Sequence, residues 1–324
     1  MPQLFNKFKR SDRNDGRPFA GEQKDPWQGS AQQKDLMLGD EERPALTTVY
    51  RGENPVVDIV AVHGLNGDAV KSFTSSKTHS LWLGDEDMLP RDVPDCRVLT
   101  FSYPASVVDV FGRTSSDTIL QHATTLVQEL AADRQALIYS ESRKSKKTEH
   151  IYSIFVSTYG LLFFGTPHHG SSKANLATFV QRVVDIFPSK LVDTDSQLLE
   201  SLREGSEILQ DITDNFQPKM KRFHVFFFWE QEKSNLGVKW DYVVTETSAA
   251  PILDDTDRAG LRADHRNMCK FATRTSPGYR LVSATIIRYC EEAPNVVSRR
   301  WTEATETLRS MRKNEAEELY QAIE

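Results

Sequence analysis

Three short stretches hold residues whose types and spacing could do chemistry. In the first, the apolar run Val56-Val57-Asp58-Ile59-Val60-Ala61-Val62 breaks into His63-Gly64-Leu65-Asn66-Gly67. Glycine reaches backbone angles that other residues resist. A hydrophobic strand ending this way sets backbone N–H groups at the carboxyl edge of an open sheet, where α/β proteins bind ligands. A buried strand followed by an ordinary turn accounts for the same residues equally well. The second stretch is Thr166-Pro167-His168-His169-Gly170. Adjacent histidines in an extended loop point apart and no third ligand is evident, so no metal site is expected and two loop residues near the sheet edge are the simpler account. The third is Asp264-His265, with Cys269 one helical turn further on. That spacing allows a Cys–His nucleophilic pair, although a buried helical cysteine is the commoner arrangement.

The elements that must position these groups read as alternating strands and helices. Strands are expected at 56–63, 96–103, 159–165 and 222–229, with a short edge strand at 46–50 and a short one at 240–244. Pro104 stops the second of these. Helices are expected at 114–133, where Ile119, Ala123, Leu126, Val127 and Leu130 share one face, then at 136–139, 174–187 and 196–216. Residues 82–89, acidic after Leu81-Trp82, read as a surface excursion. A loop rich in Asp and Pro leads to Asp264-His265, and helical pattern resumes from there through Cys290. From Trp301 to Glu324, apolar residues recur at three- and four-residue steps among many charges. This is an amphipathic helix that needs a partner surface, its own domain being the simpler partner and another chain the sharper one. Strands that are continuous apolar runs, alternating with helices, indicate a parallel sheet covered on both faces. The organisation expected is a disordered arm over 1–45, one α/β domain over 46–295 and a C-terminal helix over 296–324.

Bulk properties narrow the function. Among 324 residues, 39% are hydrophobic and 27% charged, and the net charge is −6. No domain-wide basic excess exists to neutralise phosphates, which argues against nucleic acid as a partner. Cys96, Cys269 and Cys290 form neither a disulfide framework nor a zinc pattern. No apolar run approaches the 18 or more residues of a membrane span, and the N-terminus lacks the apolar core of a secretory signal. A cytoplasmic protein without cofactor or metal is the expectation.

Four motifs in order then carry a family resemblance: Val-His-Gly-Leu-Asn-Gly at 62–67, Phe-Phe-Gly-Thr-Pro-His-His-Gly-Ser at 163–171, Phe-Phe-Phe-Trp-Glu-Gln at 226–231 and Ala-Asp-His-Arg-Asn-Met-Cys-Lys-Phe at 263–271. Together they resemble the lipase/esterase-like α/β-hydrolase domain, and the chain is similar to the serine active site-containing proteins and to the N-terminal domains of fungal NLR-type receptors. The resemblance implies an α/β-hydrolase-like, mostly parallel sheet flanked by helices. It also implies an oxyanion loop at His63, Gly64, Leu65 and Asn66, with the Leu65 or Asn66 N–H as donor. His265 would be the general base and Glu230, at a strand tip, the acid that orients it. Asp254, Asp257 and Asp264 compete for that acid's place. An ester or lipid substrate and association with mitochondrial or endoplasmic-reticulum membranes are further implications.

No nucleophile accompanies them. The family mechanism needs Gly-x-Ser-x-Gly or a close variant on a sharp strand-to-helix turn, and no serine of this chain stands in that frame. Gly170-Ser171-Ser172-Lys173 fails at the fifth position, and Ser140, Ser145, Ser153 and Ser157 have no flanking glycines. Asp133-Arg134 passes directly into Gln135-Ala136-Leu137, about twenty residues too few for a strand plus turn at ~3.3 Å per residue. The sheet is therefore expected to lack its central nucleophile strand. Backbone groups stranded there would cost roughly 1–3 kcal/mol each, against a net stability of about 5–15 kcal/mol. Either the flanking strands close up, the core loosens, or the sequence is a splice or gene-model product of a locus whose full product is intact. The last is favoured because the flanking motifs survive. Two functions follow: a serine esterase/lipase-like family member that is inactive as written, or a non-catalytic signalling or interaction module with residues 301–324 as its contact to a protein partner.

Overall fold

The apolar runs form strands, each ending where glycine, proline or a charged residue interrupts it. A computed structural model describes residues 45–103, 149–168, 173–186, 219–237 and 239–321, with 125, 126, 130 and 216 as isolated helical positions. In chain order the elements are β1 Leu46–Arg51, β2 Val57–Val62, the single turn α1 Leu89–Asp92, β3 Cys96–Phe101, α2 Glu149–Ser157, β4 Gly160–Phe164 and α3 Lys173–Ile186. Then come β5 His224–Glu230, β6 Ser234–Asn235, β7 Trp240–Asp241, the turn α4 Glu246–Ala249, β8 Thr256–Leu261 and α5 Pro277–Gln321. The expected arm at 1–45 and the helices at 114–133, 136–139 and 196–216 lie outside the described residues, apart from Ala45 and those isolated positions.

The fold is α/β, with mostly parallel strands flanked by helices. Two three-stranded sheets have the orders β1-β3-β2 and β4-β5-β8. Within these two sheets only β1 is antiparallel to its neighbour; β2–β3, β4–β5 and β5–β8 all pair in parallel, while β6 and β7 form a separate antiparallel pair. Among the described residues no strand stands between β2 and β4, so the flanking strands have not closed up. The inner strands are the best buried: every residue of β3 and Val225–Phe228 of β5 are inaccessible. Burying a phenylalanine contributes roughly 1.5–3 kcal/mol, and Phe227 and Phe228 are both 0% exposed. One face of each sheet drains into a shared core, where Val98 of β3 and Phe226 and Phe228 of β5 meet Tyr279, Val282 and Ile286 of α5. The one charge inside β2, Asp58, faces Arg97 directly across the parallel ladder and receives both its Nε–H (2.9 Å) and its Nη2–H (3.0 Å).

Several expectations are corrected. Residues 82–89 are no surface excursion: Trp82, Leu83, Met88 and Leu89 are core, while Asp85, Glu86 and Asp87 stay exposed at the bend between them. The acidic run alone misled, because one turn of chain separates its outward charges from inward apolar neighbours. The loop expected before Asp264 contains β8. The strand at 240–244 shrinks to a two-residue ladder with β6. Residues 149–157, to which no element is assigned above, form α2. Residues 265–269 are a turn rather than helix. The C-terminal segment is continuous with α5, which accommodates Pro294 in its interior.

Candidate active site

Glu230 closes β5 and is 2% exposed. A carboxylate held out of water needs partners, and it has two. Oε1 accepts the Val244 backbone N–H at 2.9 Å, and Oε2 lies 2.9 Å from Nδ1 of His265. The two atoms are within contact distance but not aligned as a hydrogen bond, and neither has a hydrogen-bond partner elsewhere. Nδ1 is the ring nitrogen turned to the carboxylate, which leaves Nε2 on the side away from it.

His265 follows β8 on a turn that Asp264 caps. Asp264 Oδ1 accepts the Asn267 backbone N–H (3.0 Å) and its Nδ2–H (2.8 Å). Gly165, just past β4, has φ +57, and a Cβ there would stand 3.0 Å from both Cε1 and Nδ1 of His265 and 2.9 Å from Met268 Sδ. The imidazole thus rests on bare backbone. Across from it, the Phe179 ring of α3 lies 6.4 Å away at 71°.

The loop after β2 is pinned from below. Gly67 N–H donates to Gly64 C=O at 3.0 Å, closing a turn in which Asn66 has φ +55. The His63 ring stacks on Tyr103 at 4.4 Å and 8°, and the Tyr103 hydroxyl donates to the His63 carbonyl at 2.8 Å. Burial pushes that hydroxyl up to about 12, so it keeps its proton. His63 Nδ1 lies 3.1 Å from the Gly64 carbonyl, which marks it as a loop anchor. Asp68 completes the turn by accepting the N–H groups of Val70 (2.8 Å) and Lys71 (2.6 Å). Leu65 packs in one apolar cluster with Phe179 and Trp229, the neighbour of Glu230. The loop, α3 and the ends of β4, β5 and β8 therefore converge on His265.

Of the four carboxylates weighed for pairing with His265, Glu230 alone makes that contact. Asp264 caps its own turn, Asp257 pairs with Arg288, and Asp254 is exposed. His168 is buried between Phe163 (4.4 Å) and Phe227 (4.8 Å). No His, Cys, Asp or Glu cluster among the described residues could hold a metal, and His169 lies outside those residues. Cys269 is no thiolate either, since burial pushes it up to about 12. Among the described residues no hydroxyl or thiol bonds to His265. Sequence reasoning missed Gly165, Phe179 and Val244. A glycine closing an apolar strand was the one visible signal; the others act through contacts distant in sequence.

Compared with known proteins, the chain matches no family model. It is similar to Protein SERAC1 of Bos taurus (25% identical over 253 residues), of Mus musculus (26% over 259) and of Homo sapiens (26% over 256). These alignments take in 68%, 69% and 68% of this chain and 37%, 38% and 37% of the relatives. The chain thus spans little more than a third of the length of the curated relatives it matches. Among solved structures, a Pseudomonas aeruginosa protein assigned as an epoxide hydrolase aligns with a TM-score of 0.33 and 11% identity, over 78% of this chain and 93% of that one.

Proposed function

We propose that the chain is a serine esterase/lipase-like α/β-hydrolase relative that retains base, acid and oxyanion loop but carries no nucleophile. His265 would take a proton through Nε2, Glu230 would hold the imidazole in that tautomer, and the N–H of Leu65 or Asn66 would face a developing oxyanion. The observation that carries this reading is the 2.9 Å Glu230–His265 contact beside the loop, with no hydroxyl hydrogen-bonded to His265 among the described residues. The similarity to SERAC1 proteins supports the same direction. Losing the nucleophile from such a constellation costs on the order of 10⁶-fold in kcat, so the 324-residue chain should not turn over esters or lipids. Purified chain assayed on p-nitrophenyl esters and with a fluorophosphonate probe is expected to show neither turnover nor labelling. Turnover that His265→Ala abolishes would overturn the reading. Transcripts read across the codons for Asp133 and Gln135 test whether a strand–turn block of about twenty residues belongs there.

A second reading, a non-catalytic signalling or interaction module of NLR-like or membrane-associated type, is favoured by the length of α5. Its 45 residues extend for roughly 68 Å at ~1.5 Å per residue. Ala304 is still packed, while Thr305, Glu306, Thr307, Arg309 and Ser310 are exposed. No helix among the described residues is long and apolar enough to cross a membrane. Deleting 306–324 should abolish self-association or partner capture, and fractionation tests association with mitochondrial or endoplasmic-reticulum membranes. Unchanged association after the deletion sinks this reading.

A further inference from the structure

β4 and β5 begin in register, with Gly160 opposite His224. Thr158 and Arg222, just before them, therefore lie at the amino edge of this sheet, and Glu230 and His265 lie at the carboxyl edge. The seven residues of β5 set the two ends roughly 23 Å apart. Arginines gather at the amino edge. Arg300 of α5 donates Nη1–H to the Thr158 carbonyl at 2.8 Å and Nη2–H to the Arg222 carbonyl. Arg222 is half-buried, with its guanidinium 4.7 Å from the centre of the Phe155 ring of α2 and its Nε inaccessible and without a hydrogen-bond partner. Burial first, and repulsion from Arg222 second, hold Arg300 below the usual arginine range; Arg299 adds to the repulsion and Glu303 opposes it.

A helix C-terminus attracts cations, and that accounts for Arg300 at the end of α2. It does not account for Arg222. The Phe155 face draws the charge but accepts none of the N–H groups, and a polar group withdrawn from water without a partner is costly. Arg97, Arg182, Arg258 and Arg274 are also buried or half-buried, and each has a carboxylate against it: Asp58, Asp241, Glu246 and Asp92. Among the described residues Arg222, Arg300 and the exposed Arg299 have no such ion pair.

We propose that Arg222, Arg300 and Arg299 form a binding site for a phosphate monoester. Three guanidiniums in one another's field, set against Glu303, leave a surplus of about two positive charges. A phosphate monoester brings roughly −1.5 to −2 and three acceptor oxygens, and guanidinium forks match that geometry. A carboxylate would supply one charge and leave the rest unmatched. A soluble ester and a lipid headgroup present the same group, so either could fill the site. The inference rests on neither reading of function above.

Calorimetry on the full chain at neutral pH tests it, with phenyl phosphate as the monoester and diphenyl phosphate as the diester control. Phenyl phosphate is expected to bind saturably and the diester not at all. Arg222→Gln should weaken binding about tenfold, the usual worth of a charged hydrogen bond. Arg299→Gln, at an exposed position where folding is not at stake, should weaken it severalfold, and Arg309→Gln, further along α5, should leave it unchanged. Sedimentation with phosphatidylcholine vesicles doped with phosphatidic acid, a monoester, or phosphatidylglycerol, a diester, separates the sources. Binding to the phosphatidic acid vesicles alone supports the site with a lipid headgroup as its ligand; binding to phenyl phosphate without sedimentation supports it with a soluble ester. The proposal falls if phenyl phosphate does not bind saturably, if either diester binds as well as its monoester, if Arg222→Gln or Arg299→Gln binds like wild type, or if Arg309→Gln weakens binding as much.

Discussion

At the tip of β4, one methyl group on Gly165 would collide with the ring that Glu230 holds. Gly165→Ala carries a left-handed backbone, costing roughly 1–2 kcal/mol, and also pushes His265 off its carboxylate. The low-field Nδ1–H resonance of His265 is expected to disappear in proton NMR. Gly237→Ala is the control: its φ is +81 but nothing lies within 4 Å of a Cβ there. It should lower stability similarly and leave that resonance intact. Glu230 is tested by two substitutions. Glu230→Ala orphans the Val244 N–H and the imidazole, at about 1–3 kcal/mol for a buried unpaired donor. Glu230→Gln keeps an acceptor for Val244, so melting temperatures should fall in the order wild type, Gln, Ala.

Among the elements, the β2–β3 ladder carries the one deeply buried ion pair described. Arg97 is 2% exposed and Asp58 12% on the side chain. Removing one partner of a buried ion pair costs about 3–5 kcal/mol. Asp58→Ala should therefore lower the urea midpoint by a large fraction of total stability, while Asp87→Ala, whose partner Arg91 is a surface group 3.8 Å away, should leave it unmoved. α5 divides similarly. Arg300 donates to the Thr158 carbonyl at 2.8 Å and Trp301 Nε1–H to Ser157 Oγ at 3.1 Å. The helix is thus bound to the end of α2 up to this turn. Truncation after Glu306 should preserve the melting temperature, and truncation before Tyr279 should unfold the chain, because Tyr279 and Val282 are 1% and 0% exposed.

For the whole molecule, the shared core sets an alkaline limit. Burial pushes Cys96 and Cys269 up to about 12 and Cys290 up to about 11, from 9.0. The folded state holds these protons more tightly than the unfolded chain. Their contribution is therefore complete below pH 9 and is lost as pH rises through about 11 to 12. Denaturant midpoints should hold steady up to pH 9 and fall above it, and iodoacetamide at pH 8 should label the three thiols only after unfolding.

From the sequence alone, the strands at 57–62, 160–164 and 224–230 and a mostly parallel arrangement were legible, because continuous apolar runs are the pattern of parallel sheets. β8 was not: Asp257 and Arg258 interrupt its pattern, and their partners Arg288 and Glu246 come from other elements. The meeting of Glu230 with His265 was likewise a tertiary decision. It depends on the register Glu230↔Leu261 between β5 and β8, and on a glycine whose missing side chain matters only once His265 and Met268 have folded across it. Local pattern reports which residues avoid water; only the packed chain decides which of them then touch.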